Sequence, residues 1–184
     1  MNSGHIILIN GASGSGKTTL CRQLNKQLFF PYLHISIDRF YEGLPQKPMT
    51  ALQYACLPTI YQGFLASIQA FAAVGNRVLL DIILTNDTMK SSMICSFSSV
   101  PTHLIGLSCP ADLLEQRNRK RVKPRSPIIK SQIDTVHKSM LYDLQLDTRT
   151  FSPTQCADQV VRHLNSGVLP TALHTLSKDY SHDS

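Results

Sequence analysis

The chain lacks any apolar run of the ~20 residues needed to cross a bilayer. Its first stretch, MNSGHIILING, carries neither a basic n-region nor a cleavage-like site, so the expected setting is cytoplasmic and not a membrane or an export route. It also lacks the pairing that a disulfide framework or a zinc motif needs. The five cysteines, Cys21, Cys56, Cys95, Cys109 and Cys156, are odd in number, dispersed and without a CxxC, so buried reduced thiols are expected. Internal repeats, low-complexity tracts and a domain linker are missing too, and 184 residues suit one domain with one sizeable core. Acidic residues are missing from one place in particular. Between Arg117 and Lys130 lie seven basic residues and no acid, and the rest of the chain holds 11 basic against 12 acidic residues. The net charge of +6 is therefore local, which favours a confined polyanion site over a general nucleic-acid-binding surface.

What is present alternates. Short apolar runs at 5–11, 32–38, 77–84, 102–109 and 141–148 read as strands, and the first, third and fourth read as buried on both faces. Between them come helical patterns: Leu20, Leu24 and Leu28 at helical spacing, a long helix over 59–74 ending at Gly75-Asn76, and a helix opened by Cys109-Pro110. Ser152-Pro153 opens the last helix, with Cys156, Val160 and Leu164 on one stripe. This order predicts an α/β fold, a five-stranded parallel sheet between two helical layers. Residues 1–166 form the expected domain, and 167–184 a loosely held tail, because periodicity fades there.

The first strand runs into Gly11-Ala12-Ser13-Gly14-Ser15-Gly16-Lys17-Thr18, with Thr19 following. The segment matches G-x-x-x-x-G-K-[ST] at every fixed position and sits between a strand and a helix. Backbone N–H groups must curl around a phosphate there, and side chains at the glycines would block the curl. The helix N-terminus adds its positive dipole end. Lys17 is suited to the β- and γ-phosphates, and the Thr18 hydroxyl to Mg²⁺. ATP or GTP binding is the expectation.

Two carboxylates stand at strand ends. Asp38 is expected to close the second strand, at the carboxyl ends of the strands where ligands bind in such folds. There it can take the proton of an attacking hydroxyl; the competing reading is a carboxylate capping a turn toward Arg39 or Tyr41. Asp81 ends RVLLD, the Walker B pattern of a Mg²⁺-holding acid; alternatively it is an exposed strand-end carboxylate. The segment EQRNRKRVKPR places Arg117 and Arg121 on one helix face before Pro124 and Pro127 interrupt the helix. A lid over phosphates around 117–130 is the reading taken, with Arg121 and Arg125 as lid residues and Arg117 against the nucleotide. A solvated basic face and a nucleic-acid patch compete with it, the latter weakened by the lack of interleaved aromatics. Phe40 and Tyr41 suit either stacking on an aromatic acceptor or core packing.

These residues resemble the chloramphenicol phosphotransferase-like group of P-loop kinases over roughly 5–165. The likeness rests on IILINGASGSGKTTL, Asp38, RVLLD, CPADLLEQRNRKR, Gln132, Val136-His137, and Tyr142-Asp143 through Asp147-Thr148 with the following SPTQCADQV. It implies a three-layer αβα P-loop kinase fold, ATP with Mg²⁺ as donor, a small hydroxylated acceptor and Asp38 as base. In the enzyme that gives the group its name the acceptor is the primary hydroxyl of chloramphenicol. The chain departs from the group at Ile82, where a second acid often follows the Walker B Asp. The expected function is thus an ATP-dependent small-molecule kinase. A kinase of a metabolite alcohol (a nucleoside, a sugar nucleotide or a shikimate-like alcohol) and a non-catalytic ATP-binding regulator stand as the rivals. Neither nucleic acid nor membrane is expected as a partner.

Overall fold

A computed structural model describes residues 4–44, 50–120 and 126–182. Five strands, β1 (His5–Asn10), β2 (Leu33–Ser36), β3 (Arg77–Ile82), β4 (Thr102–Ser108) and β5 (Leu144–Asp147), form one parallel sheet in the order β2-β3-β1-β4-β5. The register aligns Ile9 of β1 with Asp81 of β3 and with Ile105 of β4. Because side chains alternate across a strand, β1 feeds two cores at once. Ile6 and Leu8 point to one face, with Val78, Leu80 and Leu104. Ile7 and Ile9 point to the other, with Leu79, Ile105 and Leu107. Burial on both faces is why these strands read as unbroken apolar runs.

Helices α1 (Lys17–Gln27), α2 (Ile37–Tyr41), α3 (Ala51–Ala73), α4 (Asp87–Phe97), α5 (Ala111–Arg119), α6 (Ser126–Thr135), α7 (Pro153–Asn165) and α8 (Ala172–His182) complete the chain. α1 and α7 cover one face through Leu20, Cys21, Leu24, Cys156, Ala157 and Val160. α3, α4 and α8 cover the other through Phe64, Leu65, Ile68, Met93, Ile94, Phe97, Leu173 and Leu176. The expected five-stranded parallel α/β sandwich is the architecture found.

Four local expectations differ. The second strand stops at Ser36, and Asp38 sits in the first turn of α2 instead of closing the strand. β2 is an edge strand of four residues, and Ile37 is buried from the first turn of α2, so the alternation of Leu33, Ile35 and Ile37 continues past the strand boundary. The long helix begins at Ala51, not 59, on a capping box in which the Thr50 hydroxyl accepts from Gln53 N–H. Its first two turns are solvent-exposed and contain Pro58, so no apolar stripe marks them. Pro127 falls within the first turn of α6, where a proline is tolerated, and does not break a helix there.

The fourth difference is the C-terminal segment, which is not a loose tail. α8 packs Ala172, Leu173 and Leu176 into the core beside Phe97 and Leu104. Asp143 holds its start: Oδ1 accepts the N–H of Thr171 at 2.7 Å and of Ala172 at 3.0 Å, while Oδ2 accepts Leu104 N–H at 2.8 Å. Three apolar positions after Gly167 and Pro170 make too short a stripe to read as periodic. Among the described residues, no helix is long and apolar enough to cross a membrane.

Candidate active site

The loop after β1 is held open from outside. A Cβ at Gly11 would lie 2.5 Å from the Leu107 carbonyl oxygen and 2.8 Å from Ser15 Oγ, so no larger residue fits. Gly16 caps α1 at φ 106°, a left-handed conformation that disfavours side chains. Asn10, fully buried, pins the end of the strand beneath: its amide nitrogen donates to Val136 O (2.9 Å) and Tyr142 Oη (2.8 Å), and its oxygen accepts Leu84 N–H (3.1 Å). Ser13 N–H donates to Gln132 Oε1 at 2.8 Å, which ties the loop to α6. His137 lies beside this anchor, with Nδ1 2.7 Å from Tyr142 Oη, and burial lowers its pKa.

Lys17 folds over the loop, its ammonium donating to Gly11 O at 2.8 Å and Ala12 O at 3.1 Å. Arg117 reaches the loop from α5. One guanidinium nitrogen donates to Gly14 O (3.2 Å), Ser15 O (3.3 Å) and Thr148 Oγ1 (3.1 Å), and the other to Thr148 O (3.2 Å). Arg117 therefore joins the loop to the turn after β5. Asp147 Oδ1 accepts Arg149 N–H at 2.8 Å and shapes that turn.

At the other end, Thr18 Oγ1 donates to Asp81 Oδ2 at 2.7 Å. His34 Nε2 stands 3.2 Å from the same oxygen, and Ser36 Oγ donates to Oδ1 at 3.1 Å. Burial alone would raise the Asp81 pKa. The hydrogen bonds from His34 and Thr18 and the nearby Lys17 charge more than offset it, so the carboxylate is held below its ordinary range. It is thus buried and ionised, not the exposed strand-end group of the alternative reading. His34 and Ser36 share one face of β2 opposite Asp81, a role that the sequence reading missed; their spacing of two on a strand was the available signal. A hydroxyl beside a carboxylate is a hard-oxygen donor set, and it fits Mg²⁺.

A cavity of about 480 Å³ joins these parts. It is lined by residues Ser13 to Thr19, by Asp38, Asp81 and Ile83, and by Arg117, Thr148, Phe151 and Pro153. Asp38, exposed on α2, faces the same space as the phosphate loop, although it is reached by a helix and not by a strand end. Gly11 and Ala12 are buried and are not among the lining residues. Phe40 packs edge-to-face on Phe64 at 5.3 Å while staying 44% exposed, and Tyr41 rests against the same core. Arg121 and Arg125 lie outside the described residues.

The family model described as chloramphenicol phosphotransferase-like protein matches residues 4–165. Comparison with curated proteins finds no significant match. Among solved structures, the chain is similar to the Mycobacterium tuberculosis APS kinase in complex with AMPPNP and APS (TM-score 0.71, 17% identity, 90% of this chain and 99% of that one). It is similar to the Deinococcus radiodurans tunicamycin resistance protein (TM-score 0.66, 16% identity, 91% and 98%). It is also similar to a gluconokinase from Sinorhizobium meliloti (TM-score 0.53, 18% identity, 99% and 98%). At these identities the likeness establishes a shared P-loop kinase fold.

Proposed function

We propose that this chain, which belongs to the chloramphenicol phosphotransferase-like family, is a Mg²⁺- and ATP-dependent kinase that moves the γ-phosphoryl group to the hydroxyl of a small molecule. The observation that carries this reading is the single cavity shared by the phosphate loop and Asp38.

The residues divide the work by position. The amides of the loop and the start of α1 receive the phosphates, with the helix dipole behind them. Lys17, on nucleotide binding, exchanges its two loop carbonyls for phosphate oxygens. Arg117, Thr148, Phe151 and Pro153 line the same cavity, and the nucleoside would lie against them. Thr18 and Asp81 would hold Mg²⁺, whose chemistry when bound is to neutralise charge on the β- and γ-phosphate oxygens. Asp38 accepts the proton of the acceptor hydroxyl as its oxygen attacks the γ-phosphorus. Arg121 and Arg125 are proposed as lid residues that neutralise the transferring group and exclude water.

For the acceptor, chloramphenicol or a related hydroxylated antibiotic is the named proposal, and the family supports it. The test is to incubate the protein with ATP, Mg²⁺, chloramphenicol and a panel of metabolite alcohols, and to look by mass spectrometry for the gain of one phosphoryl group. Phosphorylated chloramphenicol supports the full proposal. Transfer to another alcohol keeps the kinase and discards the drug. ATP binding with no transfer to any of them shifts weight to an acceptor outside the panel or to an ATP-binding regulator.

A further inference from the structure

Asp81 has a neighbourhood that a Mg²⁺ site does not need. Cys21 lies one helical turn beyond Thr18 on α1, on the face that packs against β3. The Cys21 thiol sulfur, a ring nitrogen of His34 and a carboxylate oxygen of Asp81 all lie within 4.8 Å of one another. His34 Nε2 and Asp81 Oδ2 are already 3.2 Å apart. Tetrahedral zinc with nitrogen and oxygen ligands at 2.0–2.1 Å sets an edge of about 3.3 Å, and a sulfur edge of about 3.5 Å. Two of the three ligand atoms therefore stand at bonding separation, and the sulfur has at most about 1.3 Å to move.

We propose that Cys21, His34 and Asp81 form a three-ligand site for a borderline-soft divalent ion such as Zn²⁺, and that an ion there inhibits by taking Asp81 away from Mg²⁺. Thiolate, imidazole and carboxylate are a zinc donor set, whereas Mg²⁺ takes oxygen. Ser36 stays on Oδ1, and the ion replaces the His34 N–H at Oδ2. The protons balance simply. Burial and the Asp81 charge keep the Cys21 thiol protonated without an ion, so binding releases that proton to solvent. The His34 tautomer with its proton on Nδ1 leaves Nε2 free to ligate. An ion can enter, because the His34 side chain is partly exposed and Asp81 lines the open cavity. Three protein ligands leave a fourth position for water or a phosphate oxygen.

The binding part stands apart from the kinase reading; only the inhibition rests on it. The test is to titrate the full chain with Co²⁺ in the absence of nucleotide, and to follow the near-ultraviolet thiolate-to-cobalt charge-transfer absorption. Wild type should gain this band and lose it to Zn²⁺, and Cys21→Ala should not show it. His34→Gln, a change at a partly exposed position on the edge strand, should weaken Co²⁺ binding about tenfold or more, since even an outer partner of a metal ligand is worth that much. Melting curves of both variants report whether they fold. A band absent from wild type, or one persisting in folded Cys21→Ala because the exposed Cys56 and Cys95 supply it, would overturn the site. A band without any effect of Zn²⁺ on transfer would overturn the inhibition alone. Zn²⁺ inhibition that is lost in folded His34→Gln, with the band intact in wild type, supports both.

Discussion

Replacing Arg117 by Met keeps the stem and removes the guanidinium. The four hydrogen bonds to Gly14 O, Ser15 O and both oxygens of Thr148 vanish together. In a trans peptide the carbonyl of Ser15 and the amide of Gly16 point opposite ways. Gripping Ser15 O therefore fixes the plane of the Ser15–Gly16 peptide and with it the direction of the Gly16 N–H. The bonds are long, at 3.1–3.3 Å, and the cavity is open, so water can replace part of what is lost. One charged hydrogen bond, worth ~1.5–3 kcal/mol, is thus a fairer measure than the sum of four. ATP affinity should fall by about 10- to 150-fold. Titration calorimetry with a non-hydrolysable ATP analogue measures this directly, and the melting temperature in parallel reports folding. Arg117→Lys should recover only part of the loss, because an ammonium cannot span the loop and Thr148 at once. An analogue affinity within twofold of wild type in a folded Arg117→Met would refute the claim that this residue shapes the phosphate site.

Lys17→Ala should abolish nucleotide-dependent transfer; full turnover in that variant would remove the loop as donor site. Leu173→Ala and Leu176→Ala should each cost ~2–5 kcal/mol in urea denaturation, as buried leucines do, whereas a loose tail would register within about 0.5 kcal/mol. Acid should destabilise the fold through His5, whose pKa is lowered to about 4 from 6.5 by burial, His103 and Arg77. The unfolded chain binds that proton first, so stability is lost as pH falls from 6.5 toward 4 and is unaffected by His5 above that window. His103, His163, Arg77 and Tyr32 face the same cluster, so the check is a His5→Gln variant, whose melting temperature should depend less steeply on pH across that range.

The features legible in the sequence are those that one local rule dictates. Gly16 is demanded by a left-handed backbone, so the phosphate loop reads as a local motif, although the contact that excludes a side chain at Gly11 is with Leu107 of β4. The runs of β1, β3 and β4 are apolar throughout because both faces are covered. What was misread depends on neighbours. Asp38 reaches the cavity through α2, and nothing in ISID separates a longer strand from a strand that turns into a helix. α4 went unread because its inward face includes Lys90, a fully buried lysine whose ammonium donates to Thr135 O (2.9 Å) and Lys138 O (2.8 Å). α8 is fixed by Asp143, distant in sequence from the residues it caps. The clamp of Arg117 on loop carbonyls likewise joins segments that only the sheet order brings together.

The central claim is that one cavity holds both the phosphate donor and the base that activates the acceptor. Its most direct test is the rate of γ-phosphoryl transfer under single turnover in wild type and Asp38→Asn, on the alcohol that the acceptor panel identifies, with ATP affinity measured beside it. The account predicts a rate lower by ~10²-fold or more, the scale of a lost general base, at unchanged ATP affinity. Equal rates would contradict it, and so would a loss of rate that tracks a loss of ATP binding.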